Sequence, residues 1–218
     1  MRRVSWAMFV VLAVMLALAQ QRPAHAGIIN GSVSLDTSGL SGTFEIGFIL
    51  IDGSGTGDAN NTVMLGNFGF GGGSVGTVDL GMTTPGASGD FASGATLIDS
   101  GFFVEFAQGF TAGAQLTFDF GLTTNLDAGV TPDQFSIALF QSDGTPIPSL
   151  DPSGAVLLVN IDSTQPTFQS FATDVTAAPV VTTAGTAPEP STVALFAMAL
   201  TGAVWSTRRT PRRRAVER

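Results

Sequence analysis

Apolar residues recur at every second position over several short stretches of this chain. Phe44, Ile46, Phe48 and Leu50 alternate with Glu45, Gly47, Ile49 and Ile51. Leu116, Phe118, Phe120 and Leu122 alternate with Thr117, Asp119, Gly121 and Thr123, and the same spacing returns in Phe102, Val104, Phe106 and in Phe135, Ile137, Leu139. A period of two marks strands that turn one face to a core. Further strands are predicted at 28–35, 62–70, 74–80, 95–100, 155–161 and 167–173, and no segment between 27 and 187 carries a stripe of helical period. Asp52-Gly53, Gly71-Gly72-Gly73, Pro85-Gly86, Asp143-Gly144 and Asp151-Pro152-Ser153-Gly154 supply turn chemistry between them. Nine or ten short strands punctuated in this way predict an all-β fold, a single jelly-roll-like β-sandwich with phenylalanines filling the space between two sheets. Residues 58–61 and 83–94 are predicted as the long loops. No internal repeat of fixed period is present.

The alternation breaks at both ends. Arg2 and Arg3 precede an apolar run over residues 4–19, and Ala24-His25-Ala26 follows it. A basic start, an apolar run and a small-x-small site describe a signal peptide over 1–26, cut by signal peptidase after Ala26 with Ala24 as the other small residue. A retained N-terminal helix is the competing reading. No cysteine follows the run, which excludes lipid attachment there. The folded domain is therefore expected over 27–175. Residues 176–187 are rich in Ala, Thr, Val and Pro without charge and read as an extended tether.

Beyond the tether come Pro188-Glu189-Pro190, an apolar run at about 191–206, and then Arg208, Arg209, Arg212, Arg213 and Arg214. Sixteen residues make a helix of roughly 24 Å at about 1.5 Å per residue, a thin but workable membrane span. Five arginines directly behind it are the positive-inside mark of a cytoplasmic end. The tripeptide, the span and the arginine cluster, in that order, resemble the PEP-CTERM sorting signal of Gram-negative bacteria, placed here at 188–214. The resemblance implies export across the inner membrane and transient anchoring in it. An exosortase partner would then recognise the motif and release or transfer the domain to the surface or extracellular matrix. A plain C-terminal anchor is the alternative.

Within the domain, Leu35-Asp36-Thr37-Ser38-Gly39-Leu40, the Phe-rich strand at 116–122, and Phe135-Ser136-Ile137-Ala138-Leu139-Phe140 followed by Ser142-Asp143-Gly144 resemble a group of PEP-CTERM proteins of unknown function. That likeness covers most of 28–175. It implies fold and destination and carries no catalytic residue with it.

Composition changes the picture sharply. All nine basic residues, Arg2, Arg3, Arg22, Arg208, Arg209, Arg212, Arg213, Arg214 and Arg218, lie outside the domain, while fifteen of the seventeen acids lie inside it. The only histidine is His25, both tryptophans (Trp6 and Trp205) sit in the end segments, and the chain has no Cys, Lys or Tyr. No salt bridge can form inside such a domain, so each carboxylate must be solvated, hydrogen-bonded or held by a cation. Nucleic acid is excluded as a partner, because a polyanion is repelled by a surface without cations.

The same absences close most catalytic designs. Neither Ser–His–Asp nor Cys–His pairs can be built, zinc lacks its usual ligands, and phosphoryl transfer lacks its clamps. A carboxylate pair for glycoside hydrolysis remains, with Glu45 and Glu105 as the only glutamates available. Their places among the apolar positions predict two outward, solvated side chains. A carbohydrate-binding module is the other sugar-directed reading, although sugar platforms are usually Trp or Tyr; Phe103 and Phe140 are the outward rings. Calcium takes carboxylate, amide and carbonyl oxygens. Its best local candidates are Asp52, Asp58 and Asn60 in Asp52-Gly-Ser-Gly-Thr-Gly-Asp58-Ala-Asn60-Asn61, a spacing unlike that of an EF-hand. The reading that follows is an exported, non-enzymatic surface or matrix protein whose outside partner is extracellular polysaccharide.

Overall fold

The computed structural model describes residues 27–53, 55, 57–125, 131–161 and 166–184. The expected signal peptide with Ala24 and Ala26, and the expected sorting segment from Pro188 to Arg214, lie outside the described residues.

The described residues form twelve strands: β1 (Ile28–Asp36), β2 (Thr43–Ile51), β3 (Thr62–Gly69), β4 (Ser74–Val78), β5 (Ala87–Asp90), β6 (Gly94–Ile98), β7 (Phe103–Thr111), β8 (Gln115–Thr123), β9 (Asp133–Gln141), β10 (Ala155–Ile161), β11 (Thr167–Ser170) and β12 (Val180–Thr183). They form two six-stranded sheets, in the orders β12-β1-β8-β3-β6-β5 and β11-β10-β9-β2-β7-β4, with antiparallel pairs throughout. The chain changes sheet between β1 and β2 and again between β2 and β3, so sequence neighbours face one another across the core.

The predicted alternation is what builds that core. Phe44, Ile46, Phe48 and Leu50 of β2 face inward against Leu116, Phe118, Phe120 and Leu122 of β8, and most of these side chains are fully buried. Phe48 sits at the centre, edge-on to Phe118 at 5.3 Å, Phe91 at 6.0 Å and Phe68 at 6.1 Å, and stacked on Phe135 at 6.5 Å. Such ring pairs add about 0.5–1.5 kcal/mol each beyond area burial. Among the described residues the buried apolar side chains lie between Ile29 and Ile161, and Phe168 and Val181 pack against them.

Three expectations change. Residues 87–90, expected inside a long loop, form β5. Its Ala-Ser-Gly-Asp sequence has little strand preference, and pairing with β6 imposes the conformation. Residues 180–183, expected within the tether, form β12 on the free edge of β1, from Ser34↔Val180 to Gly31↔Thr183. Val180, Val181, Thr182 and Thr183 are all β-branched, and an open sheet edge captures them. Phe102, expected to face the core, is 61 % exposed because the strand starts one residue later.

Candidate functional site

Acidic side chains gather in two places. The first is the end of the sandwich where β2 runs into the loop at 52–61. Asp52, Asn61, Asp99 and Asp133 are all buried there. The backbone N–H groups of Gly55 and Gly57 donate to Asp52, one to each carboxylate oxygen, the first at 2.9 Å. Asn61 donates its N–H to both oxygens of Asp99, at 3.1 and 3.0 Å. Its side-chain amide donates to Asp133 Oδ2 at 2.6 Å and to the Asn125 carbonyl at 3.0 Å. Gly53 N–H donates to Asp133 Oδ1 at 2.7 Å. These carboxylates tie the loop to β9 and to the residues after β6 and β8.

Asp99 also lies close to Asp133. Burial first, then the neighbouring Asp133 and Asp58, push Asp99 up to about 7 against the opposing Asn61 N–H.

The sequence candidates for calcium divide within this loop. Asp52 is buried, whereas Asp58 is exposed and turns its carboxylate to Asn60, accepting the backbone N–H at 3.2 Å and the side-chain amide at 3.1 Å. Among the described residues no group of three acidic, His or Cys side chains is placed to hold a metal ion.

The second gathering is on the outer face of the β2–β7 sheet. Glu45 and Glu105 both point outward, as the alternation predicts, yet they are only 7 % and 9 % exposed. The expectation of solvated glutamates is therefore corrected. The cause is the segment after β4, which continues along the edge of β7. Asp79 N–H donates to the Ala107 carbonyl and Thr84 N–H to the Glu105 carbonyl, both at 2.9 Å, while Glu105 N–H donates to Thr84 Oγ1 at 2.8 Å.

This segment delivers Asp79, whose Oδ1 accepts the N–H groups of Gly81 at 2.6 Å and Met82 at 3.3 Å. The Glu45 carboxyl lies close to Asp79, and that proximity works against its ionisation. By register Glu45 lies opposite Gly109 and Glu105 opposite Ile49, a stagger of four positions. Glu105 shortens it by leaning back over Gly47, where its Oε1 lies 3.1 Å from the place of a missing Cβ. Phe140, on the neighbouring β9, covers the other side of Gly47 at 2.9 Å. Burial is the main cause that raises both glutamates above the usual carboxylate range; Asp79 adds to each, and Glu105 adds to Glu45. Among the described residues no N–H or O–H donates to the Glu105 carboxylate.

Glu45 and Asp79 open on a groove of about 580 Å³, lined also by Phe44, Thr77, Thr111 and Ser142. Phe103 stays 42 % exposed on this face, and Phe140 is packed down. Sequence reasoning missed Asp79, Asp99 and Asp133. Asp79 carried no signal because it fell inside a predicted strand, at 74–80, that ends one residue before it. Asp99 and Asp133 lie 38 and 72 residues from the Asn61 that joins them.

The comparisons with known proteins agree with the reading of the chain end. A family described as the PEP-CTERM protein-sorting motif matches residues 186–209. The match takes in Pro188, Glu189, Pro190, Arg208 and Arg209. No curated protein and no solved structure matches the chain. The chain carries a PEP-CTERM sorting motif, and with it the mark of an exported protein processed by an exosortase.

Proposed function

We propose that this chain is an exosortase-sorted protein of the cell surface or extracellular matrix, whose folded domain acts by binding without catalysis. The observation that carries the reading is the sorting motif at 186–209 joined to a domain that contains no His, Cys, Lys, Arg or Tyr. The motif supplies the route: cleavage by signal peptidase after Ala26, a membrane-anchored precursor, and exosortase processing near Pro188–Pro190. The composition supplies the mode. Without a nucleophile–base pair or a cationic clamp, the domain is suited to multivalent polar contacts with hydrated extracellular polymer.

A second reading rests on one observation. Glu45, held above the usual carboxylate range chiefly by burial, opens with Asp79 on a groove, and a raised carboxyl with a second acid near it is the pair of groups that glycoside hydrolysis uses. One experiment separates the two. The mature protein is incubated with the exopolysaccharide of the producing cells, and both retention and chain length are followed. Retention without depolymerisation is expected. Turnover that disappears in Glu45→Gln or Glu105→Gln would make the protein a glycosidase.

A further inference from the structure

The two ends of the sandwich differ in character. At one end β1, β3 and β7 begin and β2, β6 and β8 finish. The last register row of the first sheet there runs Ile28, Thr123, Thr62, Ile98, and that of the second pairs Ile51 with Phe103. Ile28, Ile98 and Phe103 are exposed, as is Phe102 in the connection that carries the chain from Ile98 to Phe103. Among the described residues no other phenylalanine is exposed. The acids of this end are hidden: Asp52, Asp99 and Asp133 are buried, and of the described ones only Asp58 is exposed. At the far end the balance reverses, with Asp36, Asp143 and Asp174 all exposed.

β12 decides which end a membrane meets. It runs antiparallel to β1, so its last residues lie beside the first residues of β1. Thr183 pairs with Gly31, and Ala184 N–H donates to the Asn30 carbonyl at 2.9 Å. The chain therefore leaves the sheet at the apolar end. Six residues separate Ala184 from Ser191, where the expected span begins. Fully extended, that stretch covers at most about 25 Å. A nine-residue strand such as β2 is about 30 Å long. The connection is too short to turn the far end against the bilayer.

We propose that in the anchored precursor the rim of Ile28, Ile98, Phe102 and Phe103 docks into the headgroup region of a zwitterionic bilayer, with the exposed acids of the far end directed away from it. The proposal rests on the membrane-anchored precursor of the reading above. Apolar side chains gain by leaving water for the boundary between headgroups and acyl chains. An end whose acids are mostly buried loses little by meeting a surface without net charge, whereas a domain with no cation has nothing to offer anionic lipid.

The chain has no cysteine, so a single introduced thiol labels one end alone. The full-length chain, carrying a fluorophore at Ser100→Cys beside the rim or at Ser142→Cys in the turn after β9, is reconstituted in phosphatidylcholine vesicles whose acyl chains bear a spin-label quencher. Quenching at Ser100→Cys and none at Ser142→Cys is expected. Phe102→Ser combined with Phe103→Ser should cut the quenching at Ser100→Cys at least about twofold. Leu150→Ser, at an exposed position of the far end, should leave it unchanged. Thermal melting of each variant checks that the fold is kept.

Equal quenching at the two positions would overturn the proposal, as would quenching at Ser100→Cys that survives the loss of both phenylalanines. Vesicle flotation separates this failure from failure of the anchor. A chain that floats with the vesicles and is quenched at neither position keeps the anchor and loses the docked rim; a chain that does not float loses both. Disulfide-linked dimers of the unlabelled Ser100→Cys chain, without lipid quenching of the labelled one, would give the rim to a second copy of the chain instead.

Discussion

The Glu105 carboxylate reaches across the ladder between β7 and β2 until its Oε1 stands 3.1 Å from where a Cβ on Gly47 would be. Phe140 Cε2 stands 2.9 Å from the same point. Only a residue without a side chain leaves room for both. Gly47→Ala should therefore destabilise the domain by roughly 1–3 kcal/mol through overpacking. It should also push Glu105 away from Glu45. Thermal melting reads the first effect, and an unchanged melting temperature would mean that Glu105 does not occupy this position.

The pH dependence of stability follows from the raised carboxyl groups. Asp99, at about 7 in the folded chain against a usual 3.8, keeps a proton that the unfolded chain gives up. Between about pH 4 and pH 7 the folded state holds more protons, so stability is greatest at the low end of that window and is lost as the pH rises through it. Glu45 and Glu105, also raised, act in the same direction. The exposed Asp36, Asp90 and Asp143 are lowered by hydrogen bonds from Ser38, Ser93 and Thr145, so they act oppositely, with stabilisation lost below about pH 3.8. The domain should melt higher at pH 5 than at pH 8, as a calorimetric scan at matched ionic strength would read.

Asn61 holds one end of the sandwich together. Its backbone N–H serves Asp99, its amide N–H groups serve Asp133 and Asn125, and its Oδ1 accepts from Asn125 N–H at 2.9 Å and Thr123 Oγ1 at 3.2 Å. Asn61→Ala keeps the backbone donor and strips the rest, leaving Asp133 buried without its amide partner. A loss of roughly 2–4 kcal/mol is expected, measured by denaturant unfolding. A loss no larger than that of a surface substitution would show that the loop is held by other means.

Salt should stabilise the domain. Fifteen acids without one base repel each other, and the screening length falls from about 30 Å at 0.01 M to about 8 Å at 0.15 M salt. The melting temperature should rise with sodium chloride over that range. A fall would point to stabilising ion pairs, which this composition does not permit.

The sequence made the central strands legible and hid the acidic clusters, for different physical reasons. Phe44 to Leu50 and Leu116 to Leu122 show a period of two because each strand buries one face, and that pattern is local. Ala87 to Asp90 and Val180 to Thr183 are strands only because β6 and β1 offer them open edges, which no local pattern records. Glu45 and Glu105 were readable as outward residues. Their burial was not, since it depends on the segment after β4 folding back along β7. Asp99 and Asp133 meet Asn61 through contacts 38 and 72 residues apart in the chain. The sorting signal stands at the other extreme. Its meaning lies in a contiguous string of residue types, so it could be read without any fold.

The most direct test of the whole reading is the intact mass of the protein recovered from the surface or medium of the cells that make it. An N-terminus at Gly27 and a C-terminus at or before Pro188–Pro190 are expected, with the apolar run and every arginine beyond it removed. A mature form that still carries Arg212, Arg213 and Arg214 would contradict exosortase sorting and leave a plain membrane anchor in its place.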